Sequence, residues 1–308
     1  MYNVILVDMN AVGYQSNSTR KLNDGDGNQT QAVFQSIKQM IKFKRLNPDA
    51  RIICLWDEHC QFRFDIYPEY KSKRDDNPKV AAEREEYRKQ RPLIKEALEK
   101  MGIQQLSYEG LEADDLAYWI SKKLSDNGKR VLLVTGDKDW LQLVNPFVHW
   151  YNLHNDEVVD THGFEKKTGF KTTKQFLESK YLQGDNSDCI PGVGGLGELT
   201  AQRVINHFGS IAELIKAYRA NGEFEKEDLP KELTRARKKI NAFCSNENGG
   251  LEILKRNIAL MDMSKSPKPS GLKMEKPKFS KEETLVFFED NNFISLANQI
   301  DTVERLFA

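Results

Sequence analysis

Apolar runs that alternate with helical patterns organise this chain. Three short runs predict buried strands: VILV at 4–7, IICLW at 52–56 and VLLVT at 131–135. Apolar residues at helical spacing lie between and after them, as at 29–46 and 111–124. Strands that alternate with helices predict an α/β fold, in which a central, mostly parallel sheet is flanked by helices.

The segments around this pattern differ in polarity. Residues 15–28 predict a mobile loop, and 61–92 is so charged that we expect a solvated helical excursion from the domain. After residue 148 the pattern predicts two short strands and then mainly helices up to residue 260. A Pro/Lys-rich linker at 264–280 and a helical tail at 281–307 complete the chain.

Nine carboxylates fall into five short clusters along this pattern. Three clusters follow predicted strands, and the carboxyl ends of parallel strands form one edge of a sheet, where ligands bind. Acids that converge there repel one another and need cations. Oxygen ligands without His or Cys favour Mg²⁺ or Mn²⁺. The candidate metal ligands are Asp8; Asp57; Glu112, Asp114 and Asp115; Asp137 and Asp139; Asp185 and Asp188.

Each acid also has a simpler explanation when it is taken alone. Glu112, Asp114 and Asp115 suit the positive end of a helix dipole, and an Asp after a strand caps a turn or the next helix. This alternative does not predict that acids from several strand ends lie at a single edge of the sheet.

Two further segments are candidates for contact with phosphate. Glycines at 192, 194, 195 and 197 crowd one turn before a helix, where backbone amides hold a phosphate without reading sequence. In the charged excursion, Lys71 and Arg74 follow a turn, and Arg84 and Arg88 share a helical face. The alternatives are a plain loop and an exposed, salt-bridged helix.

Composition limits the class of protein. The chain has 46 basic and 46 acidic residues, and without the nine clustered acids 37 acidic residues face 46 basic ones. The remainder is then basic, as a phosphate-binding surface requires. No apolar run approaches the roughly 20 residues of a membrane span, and no signal peptide is expected. We expect four free thiols, in a reducing cytoplasm, at Cys54, Cys60, Cys189 and Cys244.

Together these motifs resemble the 5′ nuclease family: phage flap endonucleases, phage ribonuclease H and the 5′-nuclease domain of DNA polymerase I. The resemblance extends from Asp8 to about Met263. It rests on six elements in order, namely VDMNAVGY, Asp57, FRFDIYPEYKSKRDD, LEADD, TGDKDW and GDNSDCIPGVGGLGELTA.

The resemblance implies a domain organisation. Residues 1–183 would form a PIN-like nuclease core with a helical arch at 67–91. Residues 184–263 would form a duplex-binding domain built on a helix–three-turn–helix at 190–208, and 264–308 a linker and tail. No polymerase domain follows, which indicates a stand-alone enzyme of the phage type.

The resemblance also implies roles for the residues. The nine acids would bind two Mg²⁺, with Mn²⁺ as a substitute, and K⁺ is expected at the glycine turn. Lys71 and Arg74 would contact the scissile phosphate, and Tyr14 and Tyr70 would stack on bases. The substrate would be branched or nicked duplex DNA with a 5′ flap or RNA primer, cut by a monomer.

Several positions depart from the family pattern, and other functions stay open. Met9, Gln15, Cys189 and Leu199 replace a glycine, an arginine, an asparagine and a lysine. The alternatives are a primer-removing, ribonuclease H-type exonuclease, a non-catalytic junction-binding protein, and a single-strand ribonuclease of the PIN fold. The tail is a candidate site for a sliding clamp or a single-strand-binding protein.

Overall fold

A computed structural model describes residues 1–272, 274, 275 and 277–308 of this chain. Two lysines of the predicted linker, at 273 and 276, lie outside the described residues. The chain forms two compact units. The sheet unit consists of Met1–His59, Asp75–Val158 and Lys268–Ala308, and the helical unit of Cys60–Arg74 and Val159–Pro267. The domain bounds given above, 1–183, 184–263 and 264–308, divide the chain by expected function rather than by compactness, and they stay a prediction.

A six-stranded sheet confirms the predicted α/β fold. Its strands lie in the order β3-β2-β1-β4-β5-β6, and the first five are parallel to their neighbours. The central strands β1 and β4 are buried at every position because helices cover both of their faces. The strand bounds are β1 Val4–Asp8, β2 Arg51–Leu55, β3 Gln104–Leu106, β4 Val131–Thr135, β5 Val148–Asn152 and β6 Glu157–Val159.

Among the described residues, seven α-helices belong to the sheet unit, and the helices are numbered along the whole chain. The first begins after the Asp8 cap and continues to Asn17, whose buried side chain accepts from Gln31 and Gln90 at 2.9 Å, so the loop predicted from residue 15 begins later than expected. The predicted helical tail is three short helices. The bounds are α1 Met9–Asn17, α2 Gln31–Leu46, α4 Pro78–Lys100, α5 Ala113–Asp126, α12 Lys281–Asp290, α13 Ile294–Ala297 and α14 Ile300–Phe307.

The charged excursion is helical, as predicted, but it is not wholly solvated. Its main helix, α4, begins at an Asn77 cap followed by proline and continues through Pro92. Tyr87 is buried, and its hydroxyl donates to the carbonyl of Met9 at 3.1 Å. The buried Gln90 accepts from the amide of Ala32 at 2.8 Å. These contacts fix α4 against α1 and α2.

The tail packs into the core of the sheet unit. Phe287, Phe288, Phe293 and Leu296 are buried in one cluster with residues of α2 and α4. Upstream of α12, the amide of Ser280 donates to the carbonyl of Lys100 at 3.0 Å. The tail is therefore docked on the core through these apolar side chains.

The helical unit holds the remaining helices and one short hairpin. The helices are α3 Gln61–Ile66, α6 Phe164–Thr168, α7 Thr173–Gln183, α8 Glu198–Phe208, α9 Ile211–Asn221, α10 Arg237–Cys244 and α11 Gly250–Met261. Between α7 and α8, β7 Gly184–Asp185 pairs with β8 Ile190–Pro191 in antiparallel fashion. All four cysteines carry free thiols. Across the described residues, no helix combines the length and apolarity that a membrane crossing needs.

Candidate carboxylate site and nucleic-acid interface

The ends of three neighbouring strands carry the first acids of the site. Asp8 ends β1 and is in register with Leu55 of β2. On the other side of β1, Val7 is in register with Val134 of β4. Asp57 and Asp137 each follow the end of their strand by two residues. The predicted convergence of these acids at one edge follows from the parallel register.

Asp8 is 8% exposed and accepts two hydrogen bonds. Its Oδ1 accepts from the amide of Ala11 at 2.9 Å, which caps α1, and its Oδ2 accepts from the hydroxyl of Thr135 at 2.8 Å. Burial, and then the charge of Asp57, raise the pKa of Asp8 to about 6. The hydrogen bonds to Asp8 oppose this shift without cancelling it.

Asp114 lies where the charges of the other acids meet. Desolvation, followed by the charges of Asp137, Asp57, Glu112 and Asp8, holds the pKa of Asp114 well above its ordinary value. Its side chain keeps partial solvent access. The Trp140 indole donates to Asp114 Oδ1 at 2.5 Å. These five acids therefore form one electrostatic cluster, which we call the carboxylate cluster.

The start of α5 is tied to this cluster by backbone amides. Asp57 Oδ1 accepts from the amide of Ala113 at 2.8 Å. Glu112 and Asp115 form a capping box, in which Asp115 accepts from the amide of Glu112 at 3.0 Å. Asp115 is fully buried. The simpler interpretation, a role at the start of a helix, thus holds for Glu112 and Asp115, and it does not exclude a place for Glu112 in the cluster.

Asp139 comes two residues after Asp137, a member of the carboxylate cluster. Its amide donates to Asp137 Oδ1 at 2.7 Å, which caps a 3₁₀ turn at Lys138–Leu143. The predicted metal-binding role of Asp139 stays a prediction, as does that of Asp115.

The last two acids, Asp185 and Asp188, belong to the helical unit, and each has a cationic partner there. Asp185 Oδ2 accepts from Lys180 Nζ at 2.9 Å. Burial alone raises the pKa of Asp185, but the charge of Lys180 and hydrogen bonds from Ser187 outweigh burial and lower it. Asp188 Oδ1 forms a 2.7 Å ion pair with Arg74. Their predicted place beside the other seven acids stays a prediction.

Lys71 and Arg74, the predicted phosphate contacts, lie in one turn, and both of them contact Asp188. The amide of Lys71 donates to the carbonyl of Asp188 at 2.9 Å, and Lys71 has a left-handed φ of +58°. Backbone strain of this kind is held by surrounding contacts and is frequent at functional sites. Arg74 therefore contacts Asp188 through its guanidinium, and Lys71 contacts it through a backbone amide.

The two predicted stacking tyrosines have different surroundings. Tyr70 is only 3% exposed, with its ring packed against Phe64 and under the Lys71 ammonium, which speaks against the predicted stacking of Tyr70 on a base. Tyr14 is half-buried on α1 beside Tyr87, with ring centroids 5.6 Å apart. Tyr14 keeps an accessible part for such a contact.

Arg84 and Arg88 of α4 take part in ion pairs. Arg84 contacts Asp75 at 3.0 Å, and Arg88 contacts Glu85 at 3.5 Å. The salt-bridged alternative for this helix is therefore present. Both arginines stay candidates for DNA contact, because exposed ion pairs of this kind contribute about 0–1 kcal/mol and exchange readily.

The glycine turn requires glycine at specific positions. Gly194 and Gly195 have φ values of +56° and +72°. A Cβ on Gly192 would lie 2.4 Å from the carbonyl oxygen of Gln183, so a larger residue has no space there. Gly197 caps α8 with extended backbone, and a Cβ there meets nothing within 4 Å. Conformation and space thus explain three of the four glycines.

Sequence reasoning missed three residues that hold the acids in place. Thr135 donates to Asp8 and accepts from the amide of Asp137 at 3.0 Å. The other two are Trp140, on Asp114, and Lys180, on Asp185. Thr135 and Trp140 stand at the two ends of the TGDKDW motif, but the motif does not indicate which acid each of them contacts.

The cluster suits a divalent cation by its charge and its oxygen donors. In the described part of the chain, no three His, Cys, Asp or Glu side chains form a ready-made metal-binding group. Burial first, and repulsion between neighbouring acids second, raise the pKa values of Asp8 and Asp114 and disfavour their ionised forms. A bound cation would relieve that repulsion.

A parallel sheet that carries acids at its strand ends, followed by a helical unit with a glycine turn, defines a 5′-nuclease class of fold. Two family profiles match: the 5′-3′ exonuclease N-terminal resolvase-like domain over residues 3–169, and the 5′-3′ exonuclease C-terminal SAM fold over residues 171–262. This chain belongs to the 5′-3′ exonuclease family, whose members are nucleases that hydrolyse phosphodiester bonds.

Individual relatives agree with this membership. The 5′-3′ exonuclease of Buchnera aphidicola is 33% identical over 68% of this chain and 72% of that protein. The thermostable DNA polymerase I of Thermus aquaticus is 32% identical over 69% of this chain. The matched part covers 25% of that polymerase.

Solved structures share the fold at lower identity. A bacteriophage T5 flap endonuclease, in a complex with DNA and metal ions, has a TM-score of 0.66 at 19% identity, covering 99% of this chain and 98% of that one. The catalytic core of Rad2 with DNA substrate has a TM-score of 0.59 at 18% identity, covering 99% and 92%.

Proposed function

We propose that this chain is a Mg²⁺-dependent, structure-specific 5′ nuclease, which cuts near the base of 5′ flaps and also acts as a 5′→3′ exonuclease at nicks and RNA primers. The observation that supports this proposal is the carboxylate cluster. A buried Asp8 and a crowded Asp114, both with raised pKa values, are costly for a protein that has no cation to bind.

The proposal divides the acids between two Mg²⁺ ions, with Mn²⁺ as a substitute. When bound, such ions supply an activated water and stabilise the leaving oxygen. Asp115 and Asp188 would contribute through water or by supporting the other ligands. Asp8, Asp57, Glu112 and Asp114 would hold mainly the first ion; Asp137, Asp139 and Asp185 would hold mainly the second.

The other residues of the site bind and orient the substrate in this proposal. Lys71 and Arg74 neutralise negative charge on the scissile phosphate, for which Arg74 must exchange Asp188 for phosphate. Tyr14 stacks on a base near the cut. The K⁺ expected at the glycine turn has a competitor there, because the Lys239 ammonium already contacts the carbonyl of Gly195.

An assay on three substrates tests the proposal. Wild-type protein is incubated with a 5′-labelled double flap, a nicked duplex and an RNA-primed duplex, in Mg²⁺, Mn²⁺ and EDTA. We expect Mg²⁺-dependent cutting at the flap junction, which Asp137→Asn abolishes while binding of the flap persists. Asp290→Asn, an exposed acid outside the cluster, is the matched control and should cut normally. An active Asp137→Asn enzyme would contradict the site.

The same assay separates the alternatives. Short products released stepwise from the nick or the RNA end favour the exonuclease or primer-removing function. Binding without cleavage in either metal favours a non-catalytic junction-binding protein. A monomer in the cytoplasm is part of the proposal, and gel filtration with light scattering checks the monomer.

A partner for the tail is a separate part of the proposal. The aromatic side chains of the tail are buried, so a sliding clamp or single-strand-binding protein would contact exposed residues such as Val286 and Ile294. Substituting both by serine should weaken such binding without unfolding the protein. Unchanged affinity for both partners would remove the idea.

A further inference from the structure

Residues 231–239, KELTRARKK, form a basic segment, and one of its lysines lies against the glycine turn. Lys239 Nζ donates to the carbonyl oxygen of Gly195 at 3.0 Å, which is normal hydrogen-bond length. A Cβ on Gly195 would lie 3.4 Å from that Nζ and 3.7 Å from Cε. A Cβ on Gly194 would lie 3.9 Å from the carbonyl oxygen of Lys239. Both the backbone and the side chain of Lys239 therefore lie beside the glycine turn.

The contact places a positive charge on a carbonyl of the turn that leads into α8. The amides of such a turn attract a phosphate, whereas its carbonyl oxygens, which carry partial negative charge, repel it. A cation bound to a carbonyl reverses this repulsion. An ammonium has three N–H donors, so one such group can serve a carbonyl and a phosphate oxygen together.

We infer that the Lys239 ammonium supplies the charge that a bound K⁺ would otherwise supply at the glycine turn, so that duplex binding by this chain is independent of K⁺. The inference rests on the proposed function, because it requires that the helical unit grips the backbone of duplex DNA. It also replaces the K⁺ expected from the sequence with a side chain of the protein itself.

The neighbouring Lys238 provides a matched control. Both lysines are exposed on α10 and line a cavity of about 380 Å³ together with Gly194. Removing either one deletes a single positive charge, so the loss of general attraction to DNA is comparable. The contact with the Gly195 carbonyl belongs to Lys239.

The experiment measures the Kd for a labelled nicked duplex by fluorescence anisotropy, in EDTA, so that no cleavage occurs. KCl, NaCl and choline chloride are compared at equal ionic strength, because DNA affinity depends strongly on salt. Wild-type and Lys239→Arg should bind within about twofold in all three salts. Lys239→Ala should lose about tenfold in choline, the effect of one charge-assisted hydrogen bond, and regain most of it in KCl.

Several results would overturn the inference. If wild-type protein needs KCl for full DNA affinity, then the turn binds a free cation. If Lys239→Ala binds DNA weakly in every salt, or with the same salt dependence of Kd as Lys238→Ala, then Lys239 is an ordinary phosphate contact. If Lys239→Ala does not fold, Lys239→Met, which keeps the aliphatic stem, takes its place. Wild-type protein that binds no DNA in any salt contradicts the proposed function first.

Discussion

Replacing Asp8 by asparagine should stabilise the protein while it removes activity. Asp8 is buried at the end of β1, and burial together with the charge of Asp57 raises its pKa to about 6, from an ordinary value of 3.8. That difference corresponds to roughly 3 kcal/mol of instability when Asp8 is ionised. A neutral side chain of the same shape removes this cost.

Part of the gain is lost through hydrogen bonding. Asparagine still caps α1 through the amide of Ala11, because Asn and Asp are equivalent caps. The Thr135 hydroxyl, which donates to Asp8 Oδ2, has to reorient, at a cost of about 1 kcal/mol. We therefore expect Asp8→Asn to be more stable than wild type by roughly 1–2 kcal/mol at pH 8 without divalent cations.

The pH dependence has a defined sign. A carboxyl whose pKa is higher in the folded state than in the unfolded state destabilises the fold as pH rises from about 4 to 6, and the cost is complete above that range. The advantage of Asp8→Asn over wild type should therefore grow by roughly 1.4 kcal/mol between pH 5 and pH 8.

Urea unfolding in EDTA, followed by tryptophan fluorescence, measures this difference. The buried Trp56, Trp140 and Trp150 all lie in the sheet unit, so the signal reports on the unit that holds Asp8. Mg²⁺ should stabilise wild type more than Asp8→Asn. Asp290→Asn is the control and should show no comparable gain. A pH-independent change, or a loss of stability at pH 8, would refute the reasoning.

Three further changes test other parts of the structure. Phe288→Ala should destabilise the sheet unit by about 3–5 kcal/mol in the same urea assay, because Phe288 is fully buried in the core; a small effect would mean that the tail only lies on the surface. Gly192→Ala should cost about 1–3 kcal/mol by thermal unfolding, since its Cβ meets the carbonyl of Gln183; unchanged stability would show that the turn adapts. Trp140→Phe removes the donor on Asp114, so the Mg²⁺ concentration for half-maximal cleavage should rise about tenfold, and an unchanged Mg²⁺ titration would contradict this supporting role.

The sequence was sufficient for the sheet and for the acids at its edge, for a physical reason. A buried parallel strand is a continuous apolar run, and the residue that follows it is fixed at the carboxyl edge by the direction of the chain. Asp8, Asp57 and Asp137 could therefore be placed before any contact was known. The glycine turn was also visible, because left-handed backbone leaves few other choices.

The partners of these acids could not be predicted in the same way. Thr135 contacts Asp8 across 127 positions of sequence, and hydrophobic periodicity carries no information about such a pair. The burial of Tyr70 could not be predicted for a related reason, since the packing of its ring against Phe64 is a tertiary contact. The early loop was wrong at residues 15–17 because distant side chains, Gln31 and Gln90, hold the polar Asn17 at the end of α1.

The capping and metal-binding interpretations of the acids do not exclude one another. Asp8, Asp57 and Asp137 each accept a backbone amide, and these bonds offset part of the cost of removing a carboxylate from water. Without such bonds, several acids at one sheet edge would take up protons and lose their affinity for cations. With them, the pKa of Asp8 rises only to about 6, so that near neutral pH the carboxylate is mostly ionised and the remaining instability is available to be relieved by a cation.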